Sequence, residues 1–324
     1  MSLRWMFGAL SPSGRRARLS VVIFHRVRPA PDPLFPSEPD ADRFDAQLRL
    51  LKRWFEVLPL PDAVDALRTG RLPARALAIT FDDGYADNRT IALPILQRHS
   101  MPATFFVTTG FLDGGRMWND TVIEALRACT STEIDLGALG LGRHRLNSAE
   151  ERRAAIECVV DRVKYLPMSE RQERVDALAK LCGAPLPDDL MLTSAQVREM
   201  RAAGMTIGAH TVHHPILARL AEDEARDEIA RGKASPERIL GEPVRLFAYP
   251  NGKPRRDYLA SHVRIAMEAG FDAAFSTANG AAGVDDSRFE IPRFTPWDRA
   301  PLRYGLRMAQ NMMRRDIVTA GASS

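Results

Sequence analysis

Two short stretches of this chain hold the residue types that hydrolytic chemistry needs. In the first, an apolar run from Leu77 to Phe81 stops at adjacent carboxylates, Asp82 and Asp83, followed by Gly84 and Tyr85. In the second, Ile207, Gly208 and Ala209 run into His210, Thr211, Val212, His213, His214 and Pro215. One carboxylate and two imidazoles converging on a point form a ligand set for a divalent ion with an open coordination position. The other carboxylate is then free to act as a base, because adjacent side chains at one turn point in different directions. A dication lowers the pKa of bound water to about 7, and a nearby carboxylate can accept its proton. Asp-Asp-Gly by itself is a common turn. Its place at a strand end, with a second, His-bearing strand end downstream, makes the pair a candidate metal-dependent hydrolase site. His210 and His214 are the candidate ligands, and His213 is the competing assignment.

These groups need a scaffold. Residues 19–24 read as a buried strand that ends at His25, and a Pro-rich loop follows over 29–39. Phe44, Leu48, Leu51 and Phe55 recur at helical spacing, so a helix over 44–55 packs on the sheet. A strand over 57–60, a helix over 61–69 and the strand over 77–81 come next. Residues 88–99 predict a helix interrupted at Pro94, and 103–108 a strand. After residue 190 the alternation resumes, with a helix over 195–203 capped by Ser194 and ended by Gly204, then a strand over 205–209. A helix over 221–232, a strand over 244–249, a helix over 258–269 and a strand over 272–276 complete the series. Alternation at these intervals indicates a parallel αβ sheet or barrel, in which the carboxyl ends of strands carry the chemistry. His25, Asp82 and His210 each stand where a strand is expected to stop. Between Trp118 and Pro187 the alternation breaks, and the segment reads as a helical insertion serving as a lid or contact surface. This divides the chain into a domain over 19–298 containing the insertion at 118–187, with basic terminal segments at 1–18 and 299–324.

The 324 residues hold 45 Lys and Arg against 41 Asp and Glu, a formal charge of +4. Such a mild excess favours anionic surfaces over dedicated nucleic-acid binding, and no zinc-finger spacing, aromatic single-strand platform or repeat is present. Cys129, Cys158 and Cys182 are odd in number and are expected to be reduced thiols. The first 20 residues lack the apolar run of an export signal, and no stretch of 18 apolar residues exists. The expected location is the cytoplasm, with the inner face of the membrane as a variant. Arg303, Arg307, Arg314 and Arg315 beside Leu306 and Met308 offer a peripheral contact with an anionic membrane, the alternative being that this tail packs on its own domain.

Thr-Phe-Asp82-Asp83-Gly and His210-Thr-x-x-His214 resemble the first two motifs of the polysaccharide deacetylase family, the carbohydrate esterases that share the NodB homology domain. The resemblance covers roughly residues 19–116 and 190–298. It implies a distorted (β/α) barrel, with Asp82 as catalytic base and Asp83, His210 and His214 as ligands of one divalent ion. Zinc is the leading identity, ahead of cobalt, nickel or manganese. The third family motif, Arg-x-Pro-aromatic-Gly, is altered here to Ala248-Tyr249-Pro250-Asn251-Gly252. Proline and glycine remain, so the Asn251 backbone N–H can still face an oxyanion and Tyr249 and Pro250 shape the substrate side. The motif arginine is missing. Arg293, in Ile-Pro-Arg-Phe, is the candidate replacement beside the base, and a plain loop arginine is the alternative.

The chain also lacks the histidine that many family members carry near the C-terminus as catalytic acid, since nothing follows His262, a mid-helix residue. His99 falls at a helix end and His144 in the insertion. The opening Val21-Val-Ile-Phe-His25-Arg-Val resembles the exopolysaccharide-modifying branch, in which the N-terminal strand supplies this histidine. His25 is therefore the expected general acid. The implied activity is metal-dependent hydrolysis of the N-acetyl group of an amino sugar in a polysaccharide or its lipid-linked precursor, releasing acetate. The alternatives are hydrolysis of another linear amide, such as a formamide, and a silent metal- or sugar-binding protein.

Overall fold

The computed structural model describes residues 3–183, 185–295 and 298–321. The outermost residues of the two terminal segments, Ala184 of the insertion, and residues 296 and 297 lie outside the described residues.

The strands β1 (Ser20–Phe24), β2 (Glu56–Val57), β3 (Ala76–Phe81), β4 (Thr104–Val107), β5 (Glu133–Leu136), β6 (Gly142–Arg145), β7 (Thr206–Ala209), β8 (Leu246–Ala248) and β9 (Ala273–Phe275) form two sheets. Seven of them make one sheet in the order β1-β3-β4-β7-β8-β9, with β2 added beside the start of β3. Every pairing in it is parallel. All residues of β1, β3, β4, β8 and β9 are buried. Burial on both faces is why these strands read as continuous apolar runs and not as an alternation. Close packing shows at Gly208 in β7, where a Cβ would lie 2.4 Å from the Phe106 ring.

The two edges of the sheet are joined. Ile291 bridges Phe275 at the end of β9, and Phe294 bridges Val22 in β1. Phe294 donates its N–H to Val21 and accepts from Ile23, while Ser276 donates to Ile291. The segment 291–294 thus links the last strand to the first, and the curled sheet is the distorted (β/α) barrel that the family resemblance implied. Helices Ala41–Trp54, Leu60–Arg68, Leu93–His99, Ser194–Ala202, Glu222–Leu240 and Ala260–Glu268 surround it.

Several expectations need adjustment. The helix at residue 194 is capped by Thr193 and not Ser194, through a reciprocal box with Gln196. Glu222–Leu240 runs eight residues past the expected end, through Pro236. The interruption near Pro94 is a single π-turn, Asn88–Ala92, with Leu93 N–H bonded to Asn88 C=O. The insertion is not wholly helical. Besides helices Trp118–Ala128, Ala149–Val163 and Met168–Cys182, it holds the antiparallel hairpin β5–β6. In β5 alternate residues Ile134 and Leu136 are buried, joining Val122, Leu126, Val159 and Leu178 in a core separate from that of the barrel. The cysteines are free thiols, with Cys182 pushed up to about 12 by burial beside Cys129.

The terminal segments pack on the barrel. Phe7 of helix Leu3–Leu10 contacts Trp54 and Phe55, and Tyr304, Met308 and Met312 of helix Pro301–Met313 enter the same core. Met308 of the basic tail is therefore packed on its own domain, while Leu302, Leu306 and Met313 stay exposed. Among the described residues no helix is long and apolar enough to cross a membrane.

Candidate active site

The functional side chains gather at the carboxyl ends of β1, β3, β7 and β8. At the end of β3, Asp82 continues the ladder by donating its N–H to Phe24 C=O at 2.9 Å. Asp83 then takes the left-handed conformation, φ +75°, which turns its carboxylate away from the direction of Asp82. A non-glycine residue held there carries strain of order 1–3 kcal/mol, sustained only where the surroundings impose it.

Asp82 meets Arg293, a guanidinium with 0 % exposure. Nη1 donates to Oδ1 at 2.7 Å and Nη2 to Oδ2 at 2.8 Å, a two-pronged ion pair. Nη1 also reaches Thr80 Oγ1, Nε reaches Ser276 C=O, and the group lies over the Phe106 ring. Burial by itself would raise the Asp82 pKa, but Arg293, with help from His210, outweighs it and holds the carboxyl below its ordinary value. The arginine arrives from the segment that joins β9 to β1, so closing the barrel and placing Arg293 are one structural event.

Asp83, His210 and His214 each offer a ligand atom, all within 4.8 Å of one another. Asp83 Oδ1 lies 3.6 Å from His210 Nε2 and 3.4 Å from His214 Nε2. Those separations are long for hydrogen bonds, and Asp83 Oδ1 is buried with no hydrogen-bond partner. A tetrahedral ion with bonds of about 2.0–2.2 Å sets its ligand atoms roughly 3.4 Å apart. The spacing and the orphaned carboxylate oxygen therefore fit a divalent cation held by these three residues. His210 Nδ1 donates to Ala248 C=O at 2.8 Å, which fixes the tautomer and leaves the Nε2 lone pair facing Asp83. Burial disfavours the charged form of both rings. In His210 the Asp82 and Asp83 carboxylates outweigh burial and raise the pKa, whereas His214 is lowered to about 4 and stays neutral.

The loop bearing His214 is tightly specified. Thr211 and His214 both have positive φ, and Thr211 Oγ1 accepts the His214 N–H. Glu228, on the helix behind, accepts the N–H groups of Val212 and His213 at 3.0 and 2.9 Å. It also pairs with His213 Nδ1 at 2.6 Å. His213 therefore turns its Nδ1 to the helix, and it is not in the group whose ligand atoms lie within 4.8 Å of one another. Glu228 was missed in the sequence. Its signal was a carboxylate on the buried stripe of that helix, with Ala225, Ile229 and Gly232.

At the end of β8, Asn251 has φ +59° and its N–H has no acceptor among the described residues. The turn is pinned to β9 by Thr277, which donates N–H to Gly252 C=O and Oγ1 to Asn251 C=O. A Cβ at Gly252 would lie 2.9 Å from Thr277 N, so the turn requires glycine. Tyr249 is a correction. Its ring is fully buried, stacks on Tyr258 at 3.9 Å and donates its hydroxyl to Phe289 C=O. It supports the turn from the core and presents no side chain to a substrate; Pro250 shapes that turn.

His25 follows β1 with its ring exposed to solvent, and its carbonyl accepts from Asn88 Nδ2. A positive charge there would lower the pKa of Asp82, Asp83 and His214. Arg26 beside it pairs with Asp87 at 2.7 Å and covers the Tyr85 ring. Tyr85 donates to Asp120 of the insertion, whose carboxyl burial pushes up to about 7.

A cavity of about 150 Å³ opens on Asp83, His214 and Asn251, and its opposite wall is the insertion, through Trp118, Asn119, Lys164 and Arg171. The family model for polysaccharide deacetylase matches residues 69–274, which span both carboxylates, both histidines and Asn251. The chain belongs to the polysaccharide deacetylase family. Solved structures agree on the fold. Streptococcus pyogenes deacetylase PplD in complex with acetate is similar at TM-score 0.61 and 20% identity, over 92% of this chain and 99% of that one. IcaB from Ammonifex degensii is similar at TM-score 0.58 and 20% identity, over 91% and 98%. A de-N-acetylase from Aggregatibacter actinomycetemcomitans is similar at TM-score 0.56 and 19% identity, over 86% and 94%. The similarity in fold covers 86% or more of this chain in each case.

Proposed function

We propose that this polysaccharide deacetylase removes the N-acetyl group from an amino-sugar unit with the help of one divalent ion, zinc first among the candidates, held by Asp83, His210 and His214. The observation that carries this reading is the junction at residues 82 and 83. One carboxylate is saturated by an arginine, while its neighbour keeps a bare buried oxygen between two imidazoles.

The ion, when bound, polarises the acetamide carbonyl and acidifies water. The remaining work falls to the chain. Asp82, kept ionised by Arg293, accepts the proton of the attacking water. The unpaired N–H of Asn251 is available to the oxygen that gains charge as the carbonyl carbon becomes tetrahedral. Nitrogen departs only once protonated, because an amide anion is a very poor leaving group, and we assign delivery of that proton to His25, the solvent-facing histidine at the end of β1. Water adds across the C–N bond, giving acetate and a free amine. Names of similar proteins that include deacetylases and a de-N-acetylase support this chemistry.

The test is acetate release from N-acetylglucosamine oligomers by zinc-loaded protein, with a chelated control and Asp82→Asn in parallel. Both controls should lose activity. Acetate release that survives chelation and Asp82→Asn would sink the mechanism. Replacement of His25 with alanine should cost about 100-fold in turnover, as expected for loss of a positioned acid, while zinc content by elemental analysis stays at the wild-type value. Turnover equal to wild type in that variant would remove His25 from proton delivery.

A further inference from the structure

The wall opposite the metal-ligating groups carries two cations that the reaction above does not use. Arg171, on helix Met168–Cys182, is 5 % exposed and lines the same cavity as Asp83 and His214. It forms no ion pair among the described residues, and the one hydrogen bond of its side chain there, from Nη1 to Lys164 C=O, is 3.4 Å long. Its guanidinium rests on the Trp118 ring, 4.7 Å from the centroid. Lys164 lines the cavity beside it, and the carboxylates nearest in charge, Asp161 and Asp257, form no ion pair with it. An arginine stays charged in a protein, and burying that charge without a counter-charge is costly. Such an arrangement persists where something else supplies the anion. An adjoining groove continues past Lys164, Tyr165 and Arg171 to Arg219, and Arg256 also lies over the Tyr165 ring, so the positive character extends outward from the cavity.

We propose that Arg171 and Lys164 form an oxyanion-binding subsite, and that the substrate is an anionic saccharide bearing a carboxylate or phosphate beside its N-acetylated unit. The inference rests on the deacetylase reading and names the substrate class for the same site. A planar guanidinium matches both oxyanions through paired N–H donors, and the lysine adds a point charge. The insertion thereby sets which saccharide enters, while the barrel supplies the hydrolytic groups.

Three probes separate the possibilities: the methyl glycoside of N-acetylglucosamine, N-acetylglucosamine 1-phosphate, and an N-acetylglucosamine–glucuronate disaccharide. Their dissociation constants would be measured by calorimetry on zinc-loaded full-length protein, with acetate followed in the same samples. At least one anionic probe should bind tenfold or more tightly than the neutral glycoside, and whichever does so identifies the oxyanion. Arg171→Gln should erase that preference, and Lys164→Gln, on a half-buried side chain, should reduce it several-fold without the same risk to folding. Equal binding of all three probes by wild type overturns the subsite. So does an Arg171→Gln protein that is less stable yet keeps its preference, because the arginine then serves only the helix end at Lys164. Anion preference without acetate from any probe would retain the subsite and discard the deacetylase reading. Equal acetate from neutral and anionic probes, with equal affinity, would do the reverse.

Discussion

Replacing Arg293 with glutamine is expected to lower acetate turnover by about 100-fold or more, a loss comparable to removing a preorganised charged group from an active site. Stability should fall by about 3–5 kcal/mol as well, because Asp82 would be left as a buried anion without its partner. The two effects can be told apart. Asp82→Asn should also destabilise, by stranding the guanidinium, but the double variant removes both charges and should lose much less stability than the two single losses combined. Its turnover should stay at the level of Asp82→Asn. Arg293→Lys should not rescue, since an ammonium cannot make both bonds to the carboxylate.

The stability gap has a defined pH dependence. In the wild type the Asp82 pKa is depressed in the folded state. The ion pair therefore stabilises the fold above the unfolded carboxyl pKa of about 3.9, and that contribution is lost as pH falls through the lower folded value. Urea midpoints of wild type and Arg293→Gln should differ most near neutral pH and converge under acid. If turnover per folded molecule is unchanged in Arg293→Gln, the arginine serves the barrel closure and not the reaction.

The chemistry at strand ends was legible because strands and motifs shared a boundary. Residues 77–81 and 207–209 are apolar runs that stop at polar groups, and a parallel sheet buried on both faces produces that pattern. Arg293 was only half legible. Its segment makes isolated bridges to β9 and β1 and forms no named strand, so the sequence carried no periodicity to mark the point where the edges join. The bidentate pair with Asp82 depends on that closure, a contact across more than two hundred residues that local pattern cannot reveal. Glu228 was hidden for a different reason. A carboxylate on a charged helix reads as solvated until the helix is known to pack against the backbone of the Thr211–His214 loop, where Gly232 lies so near Thr211 that a Cβ would clash. The hairpin inside the insertion escaped because its strands have four residues each, only one of them alternates in burial, and helical charge patterns flank them. Tyr249 illustrates the opposite error: motif position pointed to the substrate, while the pleat turned its ring into the core.

The largest metal-linked effect on stability should come from Asp83. In the metal-free protein its carboxyl is held far below the ordinary value; burial opposes the charge, but the imidazoles of His210 and His214 outweigh that cost. Adding zinc to wild type at about 1,000 times its dissociation constant should raise stability by about 4 kcal/mol, since the ion binds the folded site and not the open chain. Asp83→Asn should abolish this increment together with activity, because the amide cannot supply the anionic oxygen that lies 3.4 and 3.6 Å from the two imidazole nitrogens. The metal-free variant should nevertheless fold, and its unfolding temperature should fall well within reach of the metal-free wild type, as the replacement removes a buried charge and keeps a φ of +75° that asparagine tolerates. Calorimetric unfolding with and without zinc distinguishes this from a structural role. A zinc-dependent increase that persists in Asp83→Asn would move the ion to other ligands, and a variant that fails to fold without metal would make Asp83 a structural keystone whose catalytic part must be sought by changing His214 instead.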